Sequence, residues 1–336
     1  MTPKRYSGEL ALVDRIRSRA GGGRGAALRL GIGDDCALLQ IKPGEEIAIT
    51  TDLSIAGRHF RLDWHPPETV GHRTLARGLS DLAAMGARPL AAFLSLGLPE
   101  NLIGQRGRIP SWVDRFFDGF LALAADFKTP LAGGDLSGSP VAIADILLVG
   151  AVPRGKALLR SGARPGDLLY ITGALGGSAA GLDHLQKNQA RNFTARNRRP
   201  RDGSGSLAAH LWPQPRIPQG LWLERKGAAT AAIDISDGLS TDLDHICIES
   251  RVGAEIDAVS LPVFRGASLE QALHGGEDYE LLFAARPGTR IPARIGGVSV
   301  TRIGRIVKAQ SGRSRIVLLT NAGPQPLPRH GWEHFA

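Results

Sequence analysis

The spacing of apolar residues in the first half of the chain predicts helices and strands in an irregular order. A long helix with an apolar stripe follows Pro66–Pro67, because proline is favoured in the first turn of a helix. The apolar run Ile47–Thr51 predicts a buried strand that ends at Asp52. The other predicted elements of this half are a helix over Gly8–Arg19, a strand over Leu90–Leu98, a Ser-capped helix over Ser111–Phe127 and a strand over Val141–Val152.

The second half opens with a crossover segment, Pro153–Pro165, and is predicted to mix short strands with helices. Residues 189–206 are polar, basic and rich in Gly and Ser, which predicts a mobile insertion. The predicted fold class is α/β in an α+β style, with an N-terminal domain over 1–152 and a C-terminal α/β domain over 153–336. The predicted elements are strands over Leu168–Thr172, Ala254–Ile256, Tyr279–Ala284, Arg302–Ile306 and Ile316–Leu319, a strand ending at Asp234, and helices over Ser178–Gln186 and Leu239–Ser250.

Charge and composition narrow the class of protein. Much of the net charge of +9 lies in two runs: Lys187–Asp202 has six basic residues and one acidic residue, and Thr301–Arg315 has five basic residues and no acidic one. These runs contain one aromatic residue, Phe193, and no nucleic-acid module, so nucleic acid is not expected as the main partner. Apolar runs fall short of the ~20 residues that span a bilayer, and charges interrupt the N-terminal segment, so we expect no membrane partner and a cytoplasmic location. Cys36 and Cys247 are flanked by apolar residues, which predicts two buried thiols and no disulfide.

Aspartates recur beside Gly, Ser or Thr, mostly where an apolar run ends. Asp-Gly and Gly-Asp pairs are turn formers, so any one of them is explained by a turn alone. Asp81 differs because it lies inside a predicted amphipathic helix, where a carboxylate is costly unless it is paired or bound to a metal. The set comprises Asp34, Asp35, Asp52, Asp81, Asp135, Asp234 and Asp237.

Carboxylates beside glycines together indicate metal-bridged phosphate chemistry. Mg²⁺ prefers oxygen ligands and is usually held by a few carboxylates and substrate phosphates, while glycines let backbone N–H groups approach the phosphates. His59 follows Asp52 closely and is a candidate for the same pocket, and Glu277 or Asp278 can face a cationic group of a substrate. The sequence has no GxxxxGK[ST] motif and no protein-kinase motif set, so a nucleotide must be held in another way. Nearby hydroxyl groups that can join as ligands belong to Thr50, Thr51 and Ser236.

Six motifs, taken in order and spacing, resemble the thiamine-monophosphate kinase family. The resemblance extends from about Gly8 to Phe335, with the basic insertion as its main gap. It implies direct transfer of the γ-phosphate of ATP to thiamine monophosphate with several Mg²⁺ ions. The implied fold is that of the aminoimidazole-ribonucleotide synthetase superfamily, a homodimer in which the N-terminal sheets of two subunits pair into a barrel. The motifs are Gly31-Ile-Gly-Asp-Asp-Cys-Ala-Leu-Leu, Thr50-Thr-Asp-Leu-Ser-Ile-Ala-Gly-Arg-His-Phe, Leu79-Ser-Asp-Leu-Ala-Ala-Met-Gly-Ala-Arg-Pro, Gly133-Gly-Asp, Ile233-Asp-Ile-Ser-Asp-Gly-Leu and Leu273-His-Gly-Gly-Glu-Asp-Tyr-Glu-Leu-Leu.

The resemblance also implies roles for individual residues. The implied Mg²⁺ ligands are Asp35, Thr50, Thr51, Asp52, Asp81, Asp135, Asp234 and Asp237, of which Asp52, Asp135 and Asp237 are the catalytic set. The implied nucleotide contacts are Gly134, Asp135, Arg160 and Ser236, and the implied thiamine contacts are His59, Glu277 and Trp332. The chain departs from the family pattern after Gly-Gly-Asp, where the usual Thr and Arg are replaced by Leu136 and Gly138. Nucleotide handling is therefore expected to differ at this point.

Two alternative interpretations remain open at this stage. One is another ATP-using synthetase of the same superfamily, from purine biosynthesis, selenophosphate synthesis or hydrogenase maturation. Against the last two, Cys36 is placed differently from a selenophosphate synthetase cysteine, and the chain ends in Glu-His-Phe-Ala rather than in Cys. The other alternative is a non-catalytic regulator that binds nucleotide or RNA through the two basic runs.

Overall fold

The computed structural model describes residues 9–21, 26–103, 111–187, 205–309 and 314–331. The chain divides into two compact units, one formed by Met1–Gly78 with Pro89–Ala151 and the other by Leu79–Arg88 with Val152–Ala336. The helices are α1 Glu9–Arg19, α2 Pro67–Ala84, α3 Glu100–Ile103, α4 Trp112–Asp126, α5 Gly177–Lys187, α6 Ser206–Leu211, α7 Ile217–Lys226, α8 Leu239–Ser250 and α9 Leu269–His274. The strands are β1 Leu28–Leu30, β2 Leu38–Leu39, β3 Glu45–Ile55, β4 Arg88–Leu98, β5 Leu131–Gly138, β6 Ile143–Pro153, β7 Leu168–Thr172, β8 Ala231–Asp234, β9 Val252–Asp257, β10 Leu281–Ala285, β11 Arg294–Ile295, β12 Val298–Lys308, β13 Ile316–Thr320 and β14 Gly323–Pro326.

The first unit is built on a four-stranded sheet in the order β3-β6-β4-β5. Helix α4 begins with the predicted cap: Ser111 Oγ accepts a hydrogen bond from the Asp114 N–H, and Asp114 Oδ2 accepts one from the Ser111 N–H. Phe116 and Phe120 lie on the buried face of this helix. The predicted helices and strands of this half are therefore present, although some bounds and burial differ.

Strand β3 corrects the prediction made for Ile47–Thr51. The strand does not end at Asp52 but continues to Ile55, and its apolar side chains are not buried. Ile47, Ile49 and Leu53 are 52%, 63% and 45% exposed. The reason is its place at the edge of the sheet, where alternate side chains point away from the core of the unit.

The second unit is built on an eight-stranded sheet in the order β14-β13-β9-β12-β7-β10-β8, with β11 paired to β12. Its pairings are antiparallel except for β13 with β9, which fits the predicted α+β style. Apolar residues of α8 and α9 pack on this sheet, among them Leu243, Ile246 and Leu273. The predicted strand at Tyr279 starts two residues later, at Leu281, because Tyr279 has a left-handed backbone with a φ of 51°.

The two cysteines behave differently. Cys247 is buried as predicted, and burial is the main cause that raises the pKa of its thiol to about 12. Cys36 is exposed in the loop between β1 and β2, so the prediction of burial was wrong there. The apolar residue Leu38, two positions further along the chain, is itself 58% exposed in the two-stranded pair of β1 and β2.

The remaining findings concern membrane spans and the two basic runs. Across the described ranges, no helix has both the length and the apolar character that a membrane span requires. In the second basic run, Arg305 pairs with Glu255 and Arg315 pairs with Asp244, so carboxylates offset part of its positive charge. Most of the predicted insertion at 189–206 lies outside the described residues.

Candidate active site

In the first unit, the side chains of the motif Thr50-Thr-Asp alternate between the two faces of strand β3. Thr50 and Asp52 are half-buried on one face, whereas Thr51 is exposed on the other. Asp52 forms an ion pair with Arg77, and its Oδ2 lies 2.9 Å from Arg77 Nε. Arg77 also donates a hydrogen bond of 3.4 Å to Ser54 Oγ. The structure therefore gives the implied metal ligand Asp52 a cationic neighbour that the sequence motifs did not reveal.

His59 lies in the tight turn that follows β3. Its Nδ1 accepts a hydrogen bond of 3.1 Å from the Ile55 N–H, and its carbonyl oxygen accepts one from Arg73 Nη2 at 3.4 Å. Because Nδ1 acts as an acceptor, the neutral imidazole carries its proton on Nε2. The turn thus fixes both the position and the tautomer of the ring.

Asp35 and Asp135 are both exposed and lie on separate segments of the first unit. Asp35 follows Asp34 in the loop between β1 and β2, and its N–H donates a hydrogen bond of 2.9 Å to Asp34 Oδ1. Asp135 was predicted to end a strand, and this prediction was wrong. Asp135 lies inside β5, opposite Ser95 of the parallel strand β4.

Gly134 shows why β5 carries a glycine before this aspartate. Its φ is +147°, and a Cβ at this position would lie 1.9 Å from the Leu94 carbonyl oxygen. A side chain cannot be accommodated without separating β4 from β5. In contrast, a Cβ at Gly138, near the end of the same strand, would meet nothing within 4 Å.

In the second unit, β8 ends at Asp234 and is followed by the loop Ile235–Gly238. Asp234 is buried, and its Oδ2 accepts a hydrogen bond of 2.6 Å from Ser80 Oγ on α2. Burial is the main cause that raises the pKa of Asp234, while the Ser80 hydrogen bond and the positive charge of Arg160 oppose it. Asp81 follows Ser80 directly on the helix and is half-buried.

Helix α8 adds two residues that the sequence analysis missed, Asp242 and His245. Ligand atoms of Asp237, Asp242 and His245 lie within 4.8 Å of one another. Burial first, and then the negative charges of Asp234 and Asp237, raise the pKa of Asp242 well above its usual range. Burial, followed by the positive charge of Arg160, lowers the pKa of His245. The sequence signal that could have revealed these two residues is the spacing Asp-x-x-His on the helix that follows Asp237-Gly238.

The loop Gly275–Glu280 is fastened to the loop Ile235–Gly238 by backbone hydrogen bonds. The Glu277 N–H donates to the Ser236 carbonyl oxygen at 2.8 Å, and the Tyr279 N–H donates to the Ile235 carbonyl oxygen at 2.8 Å. The Ile235 N–H in turn donates to the Glu280 carbonyl oxygen at 2.7 Å. Two residues of the loop are non-glycine residues in the left-handed region, Glu277 with a φ of 63° and Tyr279 with a φ of 51°.

The acidic side chains of this loop have different surroundings. Glu277 Oε2 lies 3.8 Å from Nδ1 of the buried His210. Asp278 accepts hydrogen bonds from the N–H groups of Gly176 and Ser178, yet burial raises the pKa of its carboxyl to about 7.

Glu280, by contrast, is a buried ion-pair residue. It accepts hydrogen bonds from Thr172 Oγ1 at 2.6 Å and from Arg216 Nε at 2.6 Å.

Gly331, the last described residue, lies beside the loop Ile235–Gly238 and the first turn of α8. The Gly331 N–H donates a hydrogen bond of 3.2 Å to Thr241 Oγ1, and a Cβ on Gly331 would lie 2.2 Å from the Asp237 carbonyl oxygen. Trp332, the third implied thiamine contact, lies outside the described residues. The second unit thus brings together Arg160, Asp234, Ser236, Asp237 and Glu277, with Gly331 beside Asp237.

Comparisons with known proteins identify the family of the chain. The model described as "AIR synthase related protein, N-terminal domain" matches residues 33–153, and that of the C-terminal domain matches residues 164–317. Thiamine-monophosphate kinase of Escherichia coli (strain K12) is 39% identical, over 98% of each chain. Thiamine-monophosphate kinase of Buchnera aphidicola subsp. Acyrthosiphon pisum is 37% identical, over 91% of this chain and 92% of that protein.

Solved structures give the same result. The crystal structure of thiamine-monophosphate kinase from Stenotrophomonas maltophilia K279a is 39% identical, with a TM-score of 0.78 over 92% of this chain and 96% of that one. A structure of AaThiL complexed with AMPPCP and TMP is 30% identical, with a TM-score of 0.72 over 100% of both chains. Hydrogenase maturation protein HypE in complex with ATP has a TM-score of 0.71 over 98% of this chain and 96% of that one, but at 18% identity it shows a shared fold alone. The chain therefore belongs to the thiamine-monophosphate kinase family of AIR synthase related proteins.

Proposed function

We propose that this chain transfers the γ-phosphate of ATP directly to thiamine monophosphate and releases thiamine diphosphate and ADP. The observation that carries the proposal is the match over the full length of both chains with a relative that is complexed with AMPPCP and TMP. Identity of 39% with thiamine-monophosphate kinases over nearly the whole chain supports the same substrate pair. The alternative of another synthetase rests on a fold likeness at 18% identity, which says nothing about substrates.

The residues present fit bound divalent cations. Asp234 is buried, and the negative charge of Asp237 lies close enough to join burial in raising the pKa of the Asp234 carboxyl. Buried carboxylates are costly unless a cation or hydrogen bonds compensate their charge. The residues that would hold several Mg²⁺ ions are Asp35, Thr50, Thr51, Asp52, Asp81, Asp135, Asp234 and Asp237. When bound, the ions neutralise the repulsion between the anionic phosphates and orient them for in-line transfer.

The chemistry of the acceptor defines what the catalytic aspartates do. The second ionisation of a phosphate monoester has a pKa of about 6, so the acceptor oxygen of thiamine monophosphate is already ionised near neutral pH. No general base is then needed, in contrast to a kinase that phosphorylates a hydroxyl group. Asp52, Asp135 and Asp237 accordingly act by holding cations and aligning the phosphates, not by removing a proton.

The remaining residues select the two substrates. Gly134 lets the backbone of β5 approach the nucleotide, and Arg160 and Ser236 contribute a cation and a hydroxyl to its phosphates. On the thiamine side, the Glu277 carboxylate and the Trp332 ring suit a thiazolium, which is both cationic and aromatic, and His59 completes this side. The backbone ladder between the two loops supports this division, because it holds Glu277 next to Ser236.

The exposed strand β3 supports a homodimer in which the N-terminal sheets of two subunits form a barrel. Ile47, Ile49 and Leu53 expose an apolar row on an edge strand, which is a surface that soluble proteins usually cover. Pairing of β3 with the same strand of a second copy would bury this row and remove the edge.

The assay for the proposed function is direct. Purified protein with MgATP and thiamine monophosphate should form thiamine diphosphate and ADP in equal amounts, and chelation of the metal should stop the reaction. ADP formation without thiamine diphosphate would instead favour another synthetase. Direct transfer is tested without the acceptor: ATP–ADP exchange in the absence of thiamine monophosphate would reveal a phosphorylated enzyme and contradict it.

A further inference from the structure

A single carboxylate oxygen in the first turn of α8 binds the loop Ile235–Gly238, which carries the implied metal ligand Asp237. Asp242 Oδ2 accepts hydrogen bonds from three consecutive backbone N–H groups, those of Ser236 at 3.1 Å, Asp237 at 3.1 Å and Gly238 at 3.0 Å. Asp242 is only 2% exposed. Its oxygen therefore pairs three successive N–H groups of the loop that precedes the helix, and it defines the backbone of that loop.

The residues just before Asp242 bind two neighbouring segments. Ser240 Oγ lies 2.8 Å from His274 Nδ1, at the start of the loop that carries Glu277. Thr241 Oγ1 accepts the Gly331 N–H at 3.2 Å, at the end of the described chain. Three successive residues of one helical turn thus fix three segments relative to one another. The side chain of Asp242 is the one that binds the loop Ile235–Gly238, which carries the implied metal ligand Asp237.

We propose that Asp242 is a positioning residue for this site. It directs the carboxylate of Asp237 and the hydroxyl of Ser236 by accepting three backbone hydrogen bonds, without itself binding substrate. This inference rests on the proposed function for the identity of the ligands that the loop holds. The competing role is that of a direct cation ligand, since Asp237 and His245 place ligand atoms within 4.8 Å. The three donors on Oδ2 favour the positioning role, because they occupy the oxygen that faces the loop.

Two substitutions separate these roles. Asp242→Asn keeps an oxygen that can accept the three hydrogen bonds but loses the charge, whereas Asp242→Ala loses both. A direct ligand would be impaired by either change, because an amide is a much weaker cation ligand than a carboxylate. A positioning residue would be impaired mainly by the alanine change. Loss of a residue that orients metal ligands typically costs about 10- to 100-fold in metal affinity or activity.

The measurement is the Mg²⁺ concentration that gives half-maximal binding of a non-hydrolysable ATP analogue, by calorimetry on the full chain. Asp242→Ala should raise this concentration by about 10- to 100-fold, and Asp242→Asn should stay close to the wild type. The thiamine monophosphate KM should change less than the Mg²⁺ requirement. Asp257→Ala is the matched control, because Asp257 also accepts a backbone N–H, that of Val259 at 3.1 Å, but in an exposed turn after β9.

Each outcome either supports or overturns the positioning role of Asp242. An equal rise in both Asp242 variants, or no rise in the alanine variant, overturns the proposal. If the alanine variant does not fold, Asp242→Ser replaces it, since a shorter hydroxyl cannot reach all three donors and should give a clear rise. A wild-type protein that binds the analogue with Mg²⁺ but forms no thiamine diphosphate would refute the proposed function and leave this test intact.

Discussion

Replacement of Gly134 by alanine tests the geometry of the strand that presents Asp135. The new Cβ would lie 1.9 Å from the Leu94 carbonyl oxygen and 2.9 Å from the Leu94 nitrogen, at a residue whose φ is +147°. A normal contact needs more than 3 Å, so β5 must move away from β4 by more than an ångström. A residue forced into this backbone region costs about 1–3 kcal/mol, and each backbone hydrogen bond lost from the ladder costs about 0.5–1.5 kcal/mol.

These contributions together predict a destabilisation of about 3 kcal/mol. For a unit of this size, that corresponds to a fall of about 6–12 °C in the melting temperature. The assay is thermal unfolding followed by circular dichroism, with turnover measured well below the midpoint. Turnover should also fall, because displacement of β5 moves Asp135 with it.

Gly138→Ala is the matched control on the same strand. A Cβ there meets nothing within 4 Å, and its φ is outside the left-handed region. Its stability should change by no more than about 0.5 kcal/mol. Equal melting temperatures for the two alanine variants would refute the reasoning, because glycine at 134 would then not be required by the close approach of Leu94.

Four further predictions concern activity, assembly and pH. Asp52→Asn should abolish turnover with an unchanged circular dichroism spectrum, and near-normal turnover would remove Asp52 from the metal ligands. Gly138→Arg places a cation in open space on β5 and should lower the KM for ATP about tenfold, since a charge-assisted hydrogen bond contributes about 1.5–3 kcal/mol; an unchanged KM would argue against a phosphate near this residue. Ile49→Glu should convert a homodimer into monomers in light scattering, and an unaltered mass would contradict the barrel. Asp278 has a pKa of about 7 in the folded protein against 3.8 ordinarily, so the folded state binds its proton more tightly and loses stability as the pH rises from about 4 through 7. Asp278→Asn should therefore lose less stability between pH 5 and pH 8 than the wild type in urea unfolding, and parallel curves would refute this.

Local sequence signals were sufficient to predict much of the fold and the loop that follows Asp234 in the second unit. The helix that Ser111 caps is set by residues within one turn, and it was predicted correctly. The loop after Asp234 was likewise predicted from an apolar run followed by Asp-Gly. In both cases the residues that decide the structure are neighbours in the sequence, so periodicity and turn chemistry detect them.

Features that depend on distant segments could not be predicted in this way. The exposure of Ile49 follows from which strands pair with β3, and an apolar run looks the same whether it lies in the centre or at the edge of a sheet. Arg77 pairs with Asp52 across 25 residues, and no motif joins them. Asp135 was expected to end a strand because Gly-Asp is a turn signal. In the structure, Gly134 instead allows β5 to lie close to the backbone of β4.

The left-handed backbone of Glu277 and Tyr279 has a consequence for protein engineering. A non-glycine residue in this region costs about 1–2 kcal/mol, so glycine at the half-buried position 277 should make the protein more heat-resistant. At Tyr279, which is only 3% exposed, the loss of the buried ring would outweigh this gain. At Glu277 the same change would delete the carboxylate that we assign to the thiazolium. A library selected for thermostability alone should therefore enrich glycine at 277 among inactive clones, whereas a library selected for growth without thiamine should retain glutamate and the less stable loop.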